Sequence, residues 1–361
     1  MKITQLQIFH YKLPYTKPLL LGTSPSHYRD GFLVKLTDET GEAGIGEIAP
    51  FPGVHSESLS DIRDYFSAIA DVCSSINLPE AGRTEHDLVT SSFGNIPSLI
   101  FGLDMALKQL TIINEKSLTI GKRANMIKLH AMLSGEPEKI MNEIVSKTEQ
   151  GWDCFKIKIG RYSIAKELEL LDSLDQLLPE PIRFRPDANR LITNETASNF
   201  YPRFPSHRIE YIEEPLKDIG KLHLFHSTFR LPIALDESLN VFSTQQLTTL
   251  PGLRSIIIKP EAMGLLSSTL KWITFARQYN LTTIFSNAFY SPLTIVFLAH
   301  YFGEYLNPDT AHGLNTFQYF KPANLFPPLL CTGPLAEIPD IKEYIEEVKW
   351  NSMELVYEWN R

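Results

Sequence analysis

The sequence predicts an α/β protein, a (β/α)7β barrel preceded by a small α+β layer. Three observations predict it. From about residue 124 onward, short β-rich runs alternate with amphipathic helical stretches. Ahead of that region, two strand-like and two helical stretches follow a different rhythm. Lysines and acids then recur at the carboxyl ends of the later strands at intervals of about one βα unit.

In the amino-terminal part, "KITQLQIFHYKL" and "GFLVKLTDETGEAGIGEIAP" alternate as strands, with a turn at "DETGEAG". Helices are expected near 57–75 and 95–115. "PLLLGTSPSHYRDG" and "PFPGVHSES" are rich in Gly, Pro and Ser and are expected to be loops. This layer is assigned to residues 1–120.

The barrel is assigned to residues 121–317. Its expected strands are "MIKLHAML", "CFKIKIG", "IRFRPDAN", "IEYIEEP", "PIALDES", "SIIIKPE", "TTIFSNAF" and "TAHGLN", with helices such as "PEKIMNEIVSKTEQ" and "SIAKELELLDSLDQLL" between them. No regular helix is expected after the last strand. Residues 318–361, Pro-rich and then helical in pattern, are expected to return to the amino-terminal layer.

Composition narrows the function. At 361 residues, 43% hydrophobic and 21% charged, the chain has the makings of a soluble globular protein with a sizeable core. A net charge of -8 spread along the sequence argues against nucleic acid or an anionic membrane as partner and favours a small-molecule substrate. Three cysteines, Cys73, Cys154 and Cys331, form no paired framework, which points to a reducing compartment. The first residues lack a signal-peptide pattern and no segment reaches membrane-spanning length, so a cytoplasmic location is expected. A homo-oligomer is left open.

The stretch "GWDCFKIKIG" carries the first functional signal. On a strand, Lys156 and Lys158 share one face while Phe155, Ile157 and Ile159 share the other. A solvated edge strand produces the same alternation. The neighbours favour a functional reading. Lys158, Asp187, Glu213, Asp236 and Lys259 close successive strands at intervals of 29, 26, 23 and 23 residues. In a barrel of roughly 250 residues this spacing places them around one rim.

Strand parity turns Asp187 and Asn189, Glu213, and Asp236 inward. Read singly, Asp236 also fits a helix N-cap, Asp187 a partner of Arg183 or Arg185, and Glu213 a rim residue. Together, three converging carboxylates are most cheaply kept ionised by a divalent cation, and all-oxygen ligation points to Mg2+, with Mn2+ as a substitute. A substrate carboxylate bound there would lie between Lys158 and Lys259, one of which must serve as a neutral base. Lys156 supports Lys158 in that role by disfavouring a second positive charge beside it.

The motifs "FKIKIG", "RPDANR", "YIEEPL", "ALDESL" and "IIIKPEAMG", in this order, resemble the muconate-lactonising subgroup of the enolase superfamily over essentially the whole chain. The resemblance implies an enolase-type barrel with an α+β capping domain, and "GEIAPFPGVHSESL" looks like one of the cap loops that close over the site. Within the subgroup the chain is most similar to the o-succinylbenzoate synthase family. That implies syn dehydration of 2-succinyl-6-hydroxy-2,4-cyclohexadiene-1-carboxylate in menaquinone or phylloquinone synthesis. By resemblance Asp187, Glu213 and Asp236 bind Mg2+, Lys158 is base and then acid, and Lys259 stabilises the enediolate. Glu213 is preferred to Glu214 as the first acid of its E-x-P triplet. Ser286, Asn287, Gly313 and Leu314 are candidate substrate contacts. Tyr290, near where relatives carry an acid, and Asn315, where Asp is usual, depart from the pattern.

An N-acylamino acid racemase or dipeptide epimerase is the runner-up, although the Asp-x-Asp of such epimerases is replaced here by "HGLNTF". A Schiff-base aldolase or a non-catalytic metal-stabilised binding protein would use the same lysines and acids differently. His130 and His312 are expected to be packed core histidines, and His223 and His226 surface residues. No P-loop or dinucleotide fingerprint is present.

Overall fold

In the computed structural model, which describes residues 2–21, 24–76, 85–114, 124–321 and 325–361, the chain opens with a long antiparallel hairpin. It comprises β1 (Ile3–Leu21) and β2 (Ser24–Asp38), joined on the β2 side by β3 (Ala43–Ile48). The helices of this layer are α1 (Leu59–Arg63), α2 (Phe66–Ser75), α3 (Glu85–Phe93) and α4 (Pro97–Asn114).

Alternation along β1 divides its apolar residues between two cores. Leu6 and Ile8 join Phe32, Val34 and the helices, while Tyr11, Leu13 and Tyr15 join the core of the rest of the molecule. Strand β3 lies directly on α4. A Cβ at Gly44 would stand 2.0 Å from the Ala106 carbonyl oxygen and one at Gly46 1.7 Å from that of Gly102, so only glycine permits this approach.

The segment 18–31, expected to be a loop, is largely strand. Pairing continues to Leu21 opposite Ser24, across an irregularity between Pro14 and Leu19. Inter-strand hydrogen bonding there prevails over the local Gly, Pro and Ser signals. Helix α3 was not expected, and residues 22–23 and 77–84 lie outside the described set.

A parallel sheet follows, made of β5 (Ala131–Leu133), β6 (Cys154–Lys158), β7 (Arg183–Asp187), β8 (Ile212–Glu213), β9 (Ile233–Leu235), β10 (Leu253–Ile258) and β11 (Thr282–Phe285), hydrogen-bonded in that order. Helices α5 (Pro137–Glu149), α6 (Ile164–Leu177), α7 (Asn194–Phe200), α8 (Leu222–Phe229), α9 (Thr244–Thr248), α10 (Pro260–Met263), α11 (Leu266–Gln278) and α12 (Pro292–Tyr301) alternate with the strands or follow the last. Phe155, Ile157 and Phe184 are buried in the main core, whereas Tyr211, Ala234, Ile257 and Ile284 form a separate apolar cluster.

The stretch expected as the first barrel strand is divided. Strand β4 (Met126–Lys128) pairs antiparallel with β13 (Leu335–Glu337), itself paired with β12 (Cys331–Thr332), and only β5 joins the parallel sheet. The expected eighth strand is reduced to bridges at His312 and Gly313. His312 bonds both Lys128 and His130, and the Gly313 N–H donates to Phe285 at 2.7 Å. This short segment therefore links the β11 end of the sheet to the chain entering β5.

After α13 (Ile341–Glu346) the chain ends in a strand, where a helix was expected. Strand β14 (Glu354–Asn360) adds to the free edge of β1, the pairing being more extensive than local helical pattern would support. Among the described residues no helix is long and apolar enough to cross a membrane.

Candidate active site

Five consecutive strands deliver the predicted side chains. Lys158 ends β6, Asp187 ends β7 and Glu213 ends β8, while Asp236 and Lys259 directly follow β9 and β10. Backbone register places Lys158 opposite Asp187, and Asp187 opposite Glu213. Lys156, one inward step behind Lys158, is 7% exposed, and Asp187 and Glu213 are completely buried.

The Lys156 ammonium donates to both Glu213 oxygens at 2.7 Å and lies 2.8 Å from Asp187 Oδ2. Lys158 donates to the same Asp187 oxygen at 2.6 Å and to Asn189 Oδ1 at 2.8 Å. Lys259 is bonded to Asp236. Burial opposes charge on Lys156, yet Asp187 and Glu213 outweigh it and raise the pKa well above that of an ordinary lysine. Burial likewise opposes charge on Asp187, but Lys156 and Lys158 hold its pKa below the usual carboxylate range. Glu213 moves the other way: burial, then repulsion from Asp187, pushes it up to about 8.

Among the described residues, no group of three or more His, Cys, Asp or Glu side chains is gathered closely enough to hold a metal ion. The strand ends bring the three acids to neighbouring positions, but Asp187 and Glu213 turn to Lys156 while Asp236 turns to Lys259. The donor chemistry nevertheless fits a hard divalent cation. All three acids offer oxygen, and Asp187 and Glu213 are fully buried on paired strand ends, so a cation held between them would offset their mutual repulsion.

The two acids of "IEEP" separate cleanly. Glu213 faces the lysines, whereas Glu214 accepts the backbone N–H groups of Asp236 and Ser238, each at 2.8 Å, and the Ser238 hydroxyl at 2.6 Å. Glu214 thus shapes the turn that carries Asp236. Burial pushes its carboxyl up to about 6. Asn189 and Arg190, which follow Asp187, adopt left-handed φ values of 41° and 58°. Such conformations are unfavourable for side-chain-bearing residues and are concentrated at functional sites. The turn aims Asn189 at Lys158, and its Nδ2 donates to Glu237 Oε1 at 3.1 Å.

Residues 49–55 close over this rim. Arg29 donates to the carbonyls of Ala49, Pro50 and Phe289, and Phe51 stacks on Phe289 with ring centroids 5.3 Å apart. His55 Nδ1 accepts the Phe51 N–H, leaving Nε2–H to donate to the Glu261 carbonyl at 3.2 Å. Glu47 accepts the Ser291 and Thr294 hydroxyls, each at 2.6 Å, tying β3 to the start of α12. A cavity of about 180 Å³ remains, lined in part by Gly53, Val54, Arg190, Asp236, Glu237 and Lys259.

The candidate substrate contacts fare unequally. Ser286 and Gly313 are bridged across neighbouring strand ends. Asn287 is 5% exposed and accepts the Thr316 hydroxyl at 2.5 Å, while its Nδ2 has no partner among the described residues. The Leu314 side chain is fully buried in the core. Tyr290 and Asn315 are buried. His130 contacts Arg185 at 3.0 Å and His312 accepts the Phe285 N–H, with burial pushing both imidazoles down. His223 and His226 bond nearby backbone carbonyls.

Glu237, Arg190, Arg29 and Glu47 were not singled out from sequence. The "DANR" and "DES" neighbours of the acids signal the first two. Glu47 lies in the "GEIAPFPG" stretch without being distinguished from its neighbours there, and Arg29 carries no local signal.

The family model for the enolase C-terminal domain-like family matches residues 139–325, more than half of the chain, and the chain belongs to that family. The model for the MenC N-terminal domain matches residues 3–110. The chain is 28% identical over 352 residues to the o-succinylbenzoate synthase of Aliivibrio fischeri (strain MJ11), covering 96% of this chain and 99% of that protein. It is 29% identical over 318 residues to the o-succinylbenzoate synthase of Yersinia enterocolitica, covering 87% and 90%.

Among solved structures, the L-Ala-D/L-Glu epimerase from Bacillus subtilis superposes with a TM-score of 0.81 at 19% identity, covering 94% of this chain and 97% of that one. An enolase superfamily member from Roseovarius nubinhibens, complexed with magnesium, also gives 0.81 at 17% identity, with full coverage of both chains. At such identities the likeness concerns the fold, which is an α/β enolase fold.

Proposed function

We propose that the chain is a carbon–oxygen lyase, an o-succinylbenzoate synthase that dehydrates 2-succinyl-6-hydroxy-2,4-cyclohexadiene-1-carboxylate in menaquinone or phylloquinone biosynthesis. Its relatives of nearly full length carry this activity in their names. The observation that carries the mechanism is the ordered set Lys158, Asp187, Glu213, Asp236 and Lys259 at five consecutive strand ends. The reading takes the parallel sheet as a closed (β/α)7β barrel over residues 121–317, with residues 1–120 as its cap and 318–361 returning to that cap. A cytoplasmic location accompanies it, with no nucleic-acid or membrane partner and with homo-oligomerisation open.

Asp187, Glu213 and Asp236 would hold Mg2+, or Mn2+ in its place. When bound, the cation acts as a Lewis acid toward the substrate carboxylate. Lys158, neutral, takes the proton from the carbon bearing that carboxylate, leaving an enediolate. Lys259, on the opposite side of the acids, stays protonated and stabilises the enediolate charge. The proton on Lys158 then passes to the departing hydroxyl on the same face, so H+ and OH− leave as water, the ring becomes aromatic and Lys158 is neutral again. Asn189 orients Lys158, and Lys156 holds Asp187 and Glu213 in place behind it.

The test follows o-succinylbenzoate formation by its aromatic absorbance. Turnover should require Mg2+ or Mn2+, and Asp187→Asn, Glu213→Gln and Asp236→Asn should each abolish it. Full turnover in EDTA, or α-proton exchange of N-succinylamino acids in D₂O with no dehydration, would replace this reading with a metal-independent enzyme or the racemase.

A further inference from the structure

We propose that Arg190 binds the distal carboxylate of a dicarboxylate substrate and sets the site's preference for a chain ending in an anion. The inference rests on the dehydratase reading, whose substrate carries one carboxylate at the reacting ring and a second at the end of its succinyl arm. The ring carboxylate would be held among Asp187, Glu213, Asp236 and the lysines. The second needs a cation of its own, because a carboxylate placed in a partly enclosed site without one loses more hydration than it recovers.

Two independent observations select Arg190. The first is place: its side chain lines the cavity shared by Lys259, Asp236 and the closing residues Gly53 and Val54. There Lys259 is committed to Asp236, whereas the Arg190 ion pair, to Glu214 Oε2, is long at 4.0 Å and beyond hydrogen-bonding distance. Glu214 itself is already taken up by Asp236 and Ser238. The guanidinium thus keeps its planar donor fork for a carboxylate. Its side chain is 39% exposed, which leaves room for an incoming ligand.

The second observation is backbone. Asn189 and Arg190 are consecutive left-handed residues, held there by the Asn189 N–H on Asp187 Oδ1 at 2.9 Å and the Arg190 N–H on the Glu214 carbonyl at 3.0 Å. One turn thereby serves two ends of a substrate, directing Asn189 to Lys158 at the reacting centre and Arg190 to the cavity beyond it. Glu237, which lines the same cavity, has one oxygen engaged by Asn189 and repels an anion that strays from Arg190.

The experiment compares two ligands by titration calorimetry in Mg2+. One is o-succinylbenzoate. The other is 2-butyrylbenzoate, which has the same ring carboxylate and ketone but a methyl group where the distal carboxylate stood. The wild type should bind o-succinylbenzoate at least tenfold more tightly. Arg190→Met should erase that preference while leaving 2-butyrylbenzoate affinity unchanged, and Arg190→Lys should restore part of it.

A preference that survives intact in Arg190→Met, or a wild type that binds both ligands equally, overturns the role of Arg190 and leaves the dehydratase reading standing. A wild type that binds neither ligand overturns both. If Arg190→Met does not fold, Arg190→Lys decides: an unchanged preference and an unchanged response to ionic strength count against the proposal.

Discussion

Lys156 holds its ammonium 2.7 Å from each carboxylate oxygen of Glu213, inside the sheet and almost out of reach of solvent. The same ammonium contacts Asp187, which Lys158 also holds, so Glu213 is the acid that depends on Lys156. Lys156→Met should therefore destabilise the chain by about 3–5 kcal/mol in EDTA, the usual cost of breaking a buried pair from one side. Mg2+ should recover much of the lost melting temperature by supplying positive charge to the same acids. Thermal denaturation with and without Mg2+ checks both parts, and a variant that melts like the wild type in EDTA removes Lys156 from this role.

The two strand-end lysines should respond differently to arginine. Guanidinium keeps its charge but has almost no transferable proton at working pH. Lys259→Arg should retain some dehydration, reduced roughly a hundredfold by misplacement of the charge. Lys158→Arg should have none. Product absorbance measures both, and activity in Lys158→Arg would reassign the base.

Asn189 bonds Lys158 while sitting at a φ of 41°, so its side chain and its backbone can be tested separately. Asn189→Ala should lose the contact and also incur about 1–2 kcal/mol of left-handed strain. Asn189→Gly should lose the contacts to Lys158 and Glu237 without that strain. Both should show a similar drop in kcat, about tenfold for one lost orienting bond, while only the alanine variant melts at clearly lower temperature. Equal kcat in the glycine variant and the wild type would show that Asn189 does not orient Lys158.

Residues 49–55 should loosen in acid. Burial depresses the His55 pKa, so the folded chain favours the neutral ring. The stabilisation this gives is present above the unfolded value of about 6.5 and is lost as pH falls through the lower folded value. Hydrogen exchange across residues 49–55 should accelerate as pH is lowered from about 7 to 5, after correction for intrinsic exchange rates. His55→Gln, which keeps a donor and an acceptor but cannot titrate there, should flatten that dependence. An identical dependence in the variant would place the switch elsewhere.

The sequence by itself determined the order and parity of the site. The two-residue period of a strand put Lys156 and Lys158 on one side of β6 with Phe155 and Ile157 on the other, and the βα spacing carried Asp187, Glu213, Asp236 and Lys259 to successive strand ends. These are properties of neighbours along the chain, and local stereochemistry suffices to read them.

Tertiary structure decided what each side chain faces. Residues 18–21 and 24–31 became strand because β1 and β2 supply each other's hydrogen bonds, and residues 354–360 became β14 because β1 had a free edge. Sequence order did not reveal that Glu214 would shape the Asp236 turn, or that Glu47 would cap a helix 244 residues away. It also did not reveal that the acids would turn toward lysines on other strands. Each pairing depends on which charges are buried together once the sheet has formed, and desolvation strengthens contacts between residues that have no relation along the chain.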